Sequence, residues 1–233
     1  MLELFPEGFE ERDADASVEL AAYADADGEA RARAAFGEIT AVDVDEGWED
    51  RWRQFHHGVE VGPLWIGPPW EQPPAGVQAV IIEPGRAFGT GAHPTTRLCL
   101  ELLAELPPGS LLDVGCGSGV LAVAGAKLGF APVHAVDHDP VAVETTTANA
   151  AANGVEVDAR VTDALTGELP DAATTVANLT LEAVRELGPR VRSPYLATSG
   201  YLTADQPRLP GRNVLRRATL DGWAADVWER VEE

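Results

Sequence analysis

The chain has 233 residues, room for one large domain or for one domain with a small appendage. Hydrophobic residues make up 45% of it, enough for a core, which excludes a wholly disordered chain. Its 17 basic and 38 acidic side chains give a net charge of −21, which repels phosphate backbones and argues against direct binding of DNA or RNA.

The start, Met1 to Glu7, is acidic and lacks the basic-then-apolar order of a secretory signal. No run of about 20 residues is uniformly apolar. A cytoplasmic protein that does not bind membranes is therefore expected. The two cysteines, Cys99 and Cys116, stand in unrelated contexts, so neither a disulfide framework nor a cysteine metal site is expected.

Residues 1–46 hold 14 acids against Arg12, Arg31 and Arg33, a net of −11. Ser17–Tyr23 alternates as a strand does, Gly28–Phe36 is an Ala- and Arg-rich helix, and Ile39–Val44 reads as a second strand. Residues 47–76 carry Trp48, Trp52, Trp65 and Trp70 among five prolines and read as a rigid linker. Trp48 and Trp52, four apart, share a helix face.

From residue 77 to 233 strands and helices alternate. Strands are expected at Val77–Ile82, Ser110–Val114, Pro132–Val136, Val155–Val161, Thr174–Ala177 and Tyr195–Leu202. Helices are expected at Pro94–Leu106, Ser118–Leu128, Pro140–Asn153 and Leu181–Arg192. Val214–Thr219 and Ala225–Val231, joined at Asp221-Gly222, form a closing hairpin. The pattern predicts an α/β, Rossmann-like domain with a mostly parallel sheet and a C-terminal antiparallel hairpin. Residues 1–46 form a small α+β appendage before it.

The most informative segment is Leu111-Leu-Asp-Val-Gly-Cys-Gly-Ser-Gly119, a buried strand running into a glycine turn and a helix. Gly115, Gly117 and Gly119 let a ligand approach the backbone there. A side chain at Gly115 is expected to obstruct that approach. Asp113 is unhelpful to a pyrophosphate but suits a ligand bearing an ammonium and a sulfonium. Asp137 ends the next strand, 18 residues beyond Gly119, where a carboxylate can accept both hydroxyls of a ribose. Asp163 follows the third strand, where an adenine edge lies. In this order, these features describe S-adenosylmethionine in a Rossmann-like crevice. Asp137 alone also reads as a helix cap before Pro140.

Two further segments bear on chemistry. Phe88-Gly-Thr-Gly-Ala-His-Pro-Thr-Thr96 offers backbone amides and hydroxyls just before a helix, able to close over the cofactor's methionine end. Within it, His93 reads first as a capping or packing residue. Asn178, at the end of the fourth strand, can fix an amine or cap the following helix.

Taken together, Trp48-Glu-Asp-Arg-Trp52, Glu83-Pro-Gly-Arg-Ala-Phe-Gly-Thr-Gly-Ala-His-Pro-Thr-Thr96, Leu112-Asp-Val-Gly-Cys-Gly-Ser-Gly119, Val136-Asp137 and Ala177-Asn-Leu179 resemble the PrmA family, bacterial methyltransferases of a large-subunit ribosomal protein. The resemblance implies that Thr96, Gly115, Asp137 and Asn178 contact the cofactor. It also implies a ferredoxin-like docking domain at the start, of which residues 1–46 look like the second half alone. Where the family has a helix before the final hairpin, Thr203–Asn213 carries Pro207 and Pro210.

The expected activity is transfer of methyl groups from S-adenosylmethionine to a lysine side chain or α-amine of a basic ribosomal protein, with Asn178 as the catalytic group. A monomer is expected. A small-molecule methyltransferase and a cofactor-binding scaffold without turnover are the competing readings.

Overall fold

The computed structural model describes residues 10–14, 17–21, 26–37, 39–40, 57–84, 89 and 91–231. The chain divides into two compact units, Met1–Trp52 and Arg53–Glu233.

In the first unit, β1 (Glu10–Ala14) and β2 (Ser17–Ala21) pair antiparallel, with Glu10 opposite Ala21. Helix α1 (Ala26–Phe36) follows, and within it Arg33 bridges Glu29 one turn earlier at 2.8 Å. Strand β1 was not anticipated, because Glu-Glu-Arg-Asp has poor strand propensity. The strand expected at Ile39–Val44 falls largely outside the described residues, as do Trp48 and Trp52.

The second unit opens with a three-stranded sheet. Strands β3 (Val59–Val61) and β4 (Leu64–Gly67) are antiparallel, and β4 runs parallel to β5 (Gln78–Ile81). Both β3 and β4 lie in the segment read as a linker. Gly62-Pro63 makes the turn between them, and Leu64, Trp65 and Ile66 are buried. The burial of Trp65 thus comes from a strand rather than from a linker.

Seven strands form the main sheet: β6 (Leu111–Val114), β7 (Val133–Asp137), β8 (Asp158–Val161), β9 (Thr174–Asn178), β10 (Tyr195–Leu202), β11 (Arg212–Leu220) and β12 (Trp223–Arg230). Their order is β11-β12-β10-β9-β6-β7-β8. The five from β8 to β10 are parallel, and β12 is antiparallel to both β10 and β11. Helices α2 (Pro94–Glu105), α3 (Val120–Lys127) and α4 (Pro140–Ala152) pack on one face, around Leu98, Leu102, Val123 and Ala150. Helix α5 (Leu181–Leu187) covers the other face with Val184 and Leu187 against Leu112, Val136 and Leu196. The near-continuous apolar strands Leu111–Val114 and Val133–Val136 follow from burial on both faces.

Some boundaries differ from expectation. Helix α5 stops at Leu187, not Arg192, because Pro189 has no N–H and its ring would clash with a carbonyl one turn back. Strand β8 begins at Asp158, since the Val155 amide still donates to Ala150 in the exit of α4, at 3.1 Å. No helix forms at 203–211, as Pro207 and Pro210 predicted. Strand order reverses between β6 and β9, and ligands of open α/β sheets bind at the carboxyl ends of the strands at such a switch point.

Candidate functional site

The carboxyl ends of β6, β7 and β9 bring three distant sequence segments together. After β6, the chain turns through Gly115, Gly117 and Gly119 at φ of 74°, 53° and 80°. Only glycine takes these values without strain. The Gly115 and Cys116 amides donate to the Val136 carbonyl at 2.8 and 3.2 Å, clasping the turn to β7. The first obstacle to a Cβ at Gly115 is Leu179 Cδ2, 2.5 Å away. The turn is therefore crowded by the protein itself, a neighbour the sequence did not reveal.

Asp137 ends β7 and is about 10% exposed at its side chain. Its Oδ2 accepts from the Gly117 amide at 3.1 Å, and its Oδ1 from Asp139 at 3.0 Å. The cap of α4 is Asp139, whose Oδ1 accepts from Val141 at 2.9 Å. The capping role considered for Asp137 thus falls to its neighbour, and Asp137 lies against the glycine turn.

Asp113 is completely buried, not facing an open crevice. Its Oδ2 accepts from the Ala122 amide in the first turn of α3, at 3.0 Å. Its Oδ1 has no hydrogen-bond partner among the described residues. Burial pushes the carboxyl up to about 7, the Ala122 hydrogen bond opposes the rise, and the nearby Asp137 charge adds to it. In this position Asp113 can act on a ligand through its field but not by direct contact.

Asn178 ends β9, and its Nδ2 donates to Thr96 Oγ1 at 3.3 Å. Thr96 is buried in the first turn of α2. Two residues 82 apart in the chain are thereby joined beside the glycine turn. Thr180, not Asn178, caps α5, accepting from Ala183 at 3.4 Å. His93 is the cap of α2: its Nδ1 accepts from the Thr95 amide at 3.4 Å, and its ring meets Trp223 edge-on at 5.1 Å between centroids. That is the capping and packing role expected of it.

Asp163 lies beyond β8 and is exposed. Its Oδ1 accepts from the Leu165 amide at 2.9 Å and its Oδ2 from Thr166 Oγ1 at 2.8 Å; these bonds hold its carboxyl below the usual range. Its carboxylate thus organises the 163–167 turn.

Sequence reading missed the inner face of α4. Thr146 and Asn149 are buried there, and Thr146 Oγ1 donates to the Gly117 carbonyl at 3.1 Å. Polar residues at core-facing helical spacing among alanines were the available signal.

A glycine turn flanked by two carboxylates favours a cationic ligand over a phosphate, and the orphaned, buried Oδ1 of Asp113 points the same way. The residues present therefore fit a ligand with a ribose and a sulfonium. A separate hollow of about 340 Å³ is lined by Leu112, Gly167, Thr175, Arg190 and Ser193 among others, and none of the site residues named above line it. Among the described residues, no group of His, Cys, Asp and Glu is arranged to hold a metal ion, and no helix is long and apolar enough to cross a membrane.

The family model described as "Ribosomal protein L11 methyltransferase (PrmA)" matches residues 8–205. A ribosomal protein L11 methyltransferase of Myxococcus xanthus is 38% identical over 199 residues, covering 79% of this chain and 68% of its own. One from Vibrio cholerae is 42% identical over 170 residues, covering 68% of this chain and 57% of its own. The crystal structure of a ribosomal protein L11 methylase from Lactobacillus delbrueckii subsp. bulgaricus superposes with a TM-score of 0.68 at 27% identity, over 76% of this chain and 100% of that one. The chain thus spans about two thirds or less of the length of these curated relatives.

Proposed function

The chain belongs to the ribosomal protein L11 methyltransferase (PrmA) family, and we propose that it transfers methyl groups from S-adenosylmethionine to amino groups of a large-subunit ribosomal protein. The observation that carries this reading is the meeting of Asn178 and Thr96 beside the glycine turn, at the switch point of the sheet. The cofactor supplies a methyl group made electrophilic by its sulfonium.

The chain's own residues bind and orient. Asp137 would accept the ribose hydroxyls from the end of β7, and the backbone of Gly115, Gly117 and Gly119 would line the cofactor. Thr96 and Asn178 stand at the methionine end. Asp163 marks the adenine side through the turn that it organises. Asp113 acts without contact and only when ionised, its buried carboxylate then favouring positive charge on the ligand.

Transfer requires a neutral amine in line with the breaking S–CH₃ bond, at about 3–3.5 Å. The balanced exchange would make one N–CH₃ bond for the S–CH₃ bond broken and release one amine proton to solvent. A lysine amine near pKa 10.4 must lose a proton before it can attack, and a drier site lowers that pKa. Asn178, partly buried at the strand end, is the group assigned to hold the acceptor amine.

The net charge of −21 supports a basic protein as partner rather than a nucleic acid. Residues 1–46, with their strands and helix, are assigned to docking that protein, and the chain is read as a monomer. Incubation with methyl-labelled S-adenosylmethionine, the purified ribosomal protein and a metabolite extract tests the proposal. Label on lysine or the α-amine of the ribosomal protein supports it. Label only on a metabolite, or cofactor binding without any transfer, overturns it.

A further inference from the structure

Ser118, in the glycine turn, ties two other segments to itself. It is 2% exposed, and its hydroxyl donates to the Gly89 carbonyl. Its own carbonyl accepts from Asn149 Nδ2 at 2.8 Å, and Asn149 Oδ1 accepts from the Glu83 amide at 3.2 Å. Glu83 and Gly89, six positions apart, are thus both held to Ser118, one directly and one through a single side-chain amide.

The neighbours of Asn149 along the same face, Thr146 within α4 and Asn153 at its C-cap, work in the same way. One turn later, Asn153 accepts from the Ile81 amide at 2.8 Å and donates to the Ile81 carbonyl at 2.6 Å, pairing with β5 as a strand would. One turn earlier, Thr146 donates to the Gly117 carbonyl, with Cys116 Sγ 3.2 Å from the same hydroxyl. Residues i, i+3 and i+7 share a helix face.

Burying an amide costs free energy unless its hydrogen bonds are made, and an apolar side chain fills a helix–sheet gap without that cost. Asn149 is 4% exposed and uses both ends of its amide. Its two partners are backbone groups in the two segments that border the candidate site.

We infer that Asn149 is a positioning residue: through Ser118 it fixes the glycine turn against Glu83, as Ser118 itself fixes it against Gly89, setting the distance between the backbone groups on either side of the cofactor. The inference rests on the reading of that turn as the cofactor site. Asn149 touches neither cofactor nor acceptor, and its effect passes through Glu83 and Ser118.

The test compares Asn149→Ala, Asn149→Asp, Ser118→Ala and the double variant Asn149→Ala/Ser118→Ala in the full chain. Asn149→Asp keeps the acceptor for Glu83 and loses the donor to Ser118, and serves if the alanine variant folds poorly. Amide hydrogen exchange is read without cofactor. It should quicken at least tenfold at Glu83 and across Gly91–Thr96 in Asn149→Ala, with β6 and β9 unchanged. S-adenosylmethionine binding, read by calorimetry, should weaken about tenfold in each single variant and little further in the double, because both cuts release the same segment.

Exchange that rises equally in α4, β6 and β9 makes Asn149 a packing residue and overturns the inference. Unchanged cofactor affinity despite faster local exchange overturns it too, as does full additivity in the double variant. A wild-type protein that does not bind S-adenosylmethionine refutes the cofactor reading itself, and is told apart because the exchange result is obtained without ligand.

Discussion

Asp137 and Asp113 flank one glycine turn, and their surroundings set them to different tasks. Asp137 sits at a strand end with spare acceptor capacity beyond its bonds to Gly117 and Asp139. Hydrogen bonds to a charged acceptor are worth about 1.5–3 kcal/mol, so Asp137→Ala should weaken S-adenosylmethionine binding roughly ten- to a hundredfold. Unchanged affinity by calorimetry in a folded variant refutes the ribose assignment. Asp113 predicts a pH effect instead. Its carboxyl titrates near 7 when folded, against an ordinary 3.8. Between these values the folded state holds the proton and the unfolded state does not. Stability from this group is therefore greatest at low pH and falls as pH rises from about 4 to 7, by at most about 1.4 kcal/mol per pH unit. Asp113→Asn keeps an acceptor for Ala122 and removes the titration. Urea midpoints should show the variant gaining on wild type as pH rises, with the gain levelling above about 7. A difference that is flat with pH refutes it. The glycine turn and Asp137 were legible in the sequence because their chemistry depends on local spacing. The burial of Asp113 was not, since it depends on α3 folding back to bring the Ala122 amide onto its carboxylate.

At the scale of elements, the segment after β9 is held by a bulge in its neighbour. The register of β10 against β12 shifts between Ser199 and Tyr201, and Gly200 sits there at φ 103°. The Leu179 amide donates to the Ser199 carbonyl at 3.0 Å, and a Cβ on Gly200 would strike the Leu179 carbonyl. Leu179 directly follows Asn178, so the bulge governs where the strand end points. Gly200→Ala should cost about 1–3 kcal/mol for a strained backbone and, in addition, displace Leu179. Gly222→Ala is the control, because Gly222 shares a positive φ of 82° but has open space around it. Denaturant midpoints should fall further for Gly200→Ala, and methyl transfer should fall only there. Equal losses of stability with equal activity leave the bulge no role at the site. The element pattern itself was largely readable, because apolar runs bounded by glycine and proline mark buried parallel strands. Strands β3 and β4 escaped because they are only three and four residues long and lie in a segment, 47–76, whose tryptophans and prolines dominate its reading, while β4 is made a strand by pairing with β3 and with β5. The polar face of α4 escaped because threonine and asparagine on a helix ordinarily face water, and only the backbone that they meet explains them.

At the scale of the whole molecule, the proposed function assigns cofactor binding and docking to different units. Every residue assigned to the cofactor, from Thr96 to Asn178, belongs to the unit Arg53–Glu233, whose core is built from its own helices and strands. Charge is distributed otherwise: residues 1–46 carry −11 of the total −21. If the first unit orients a basic protein, it supplies effective molarity for the acceptor amine, a term that acts on the rate with protein substrate and not on cofactor affinity. Removing residues 1–52 should therefore leave S-adenosylmethionine affinity within about twofold, while single-turnover methylation of the ribosomal protein falls by orders of magnitude. The full chain should also lose rate as salt rises from about 0.05 to 0.3 M, because exposed charges farther apart than a Debye length of about 10 Å are screened. The shortened chain, already without most of that attraction, should show a weaker salt dependence. Equal single-turnover rates for the two chains at every salt concentration overturn the docking assignment and place recognition of the substrate within Arg53–Glu233. A fall in cofactor affinity that matches the fall in rate shows instead that the first unit supports the site itself.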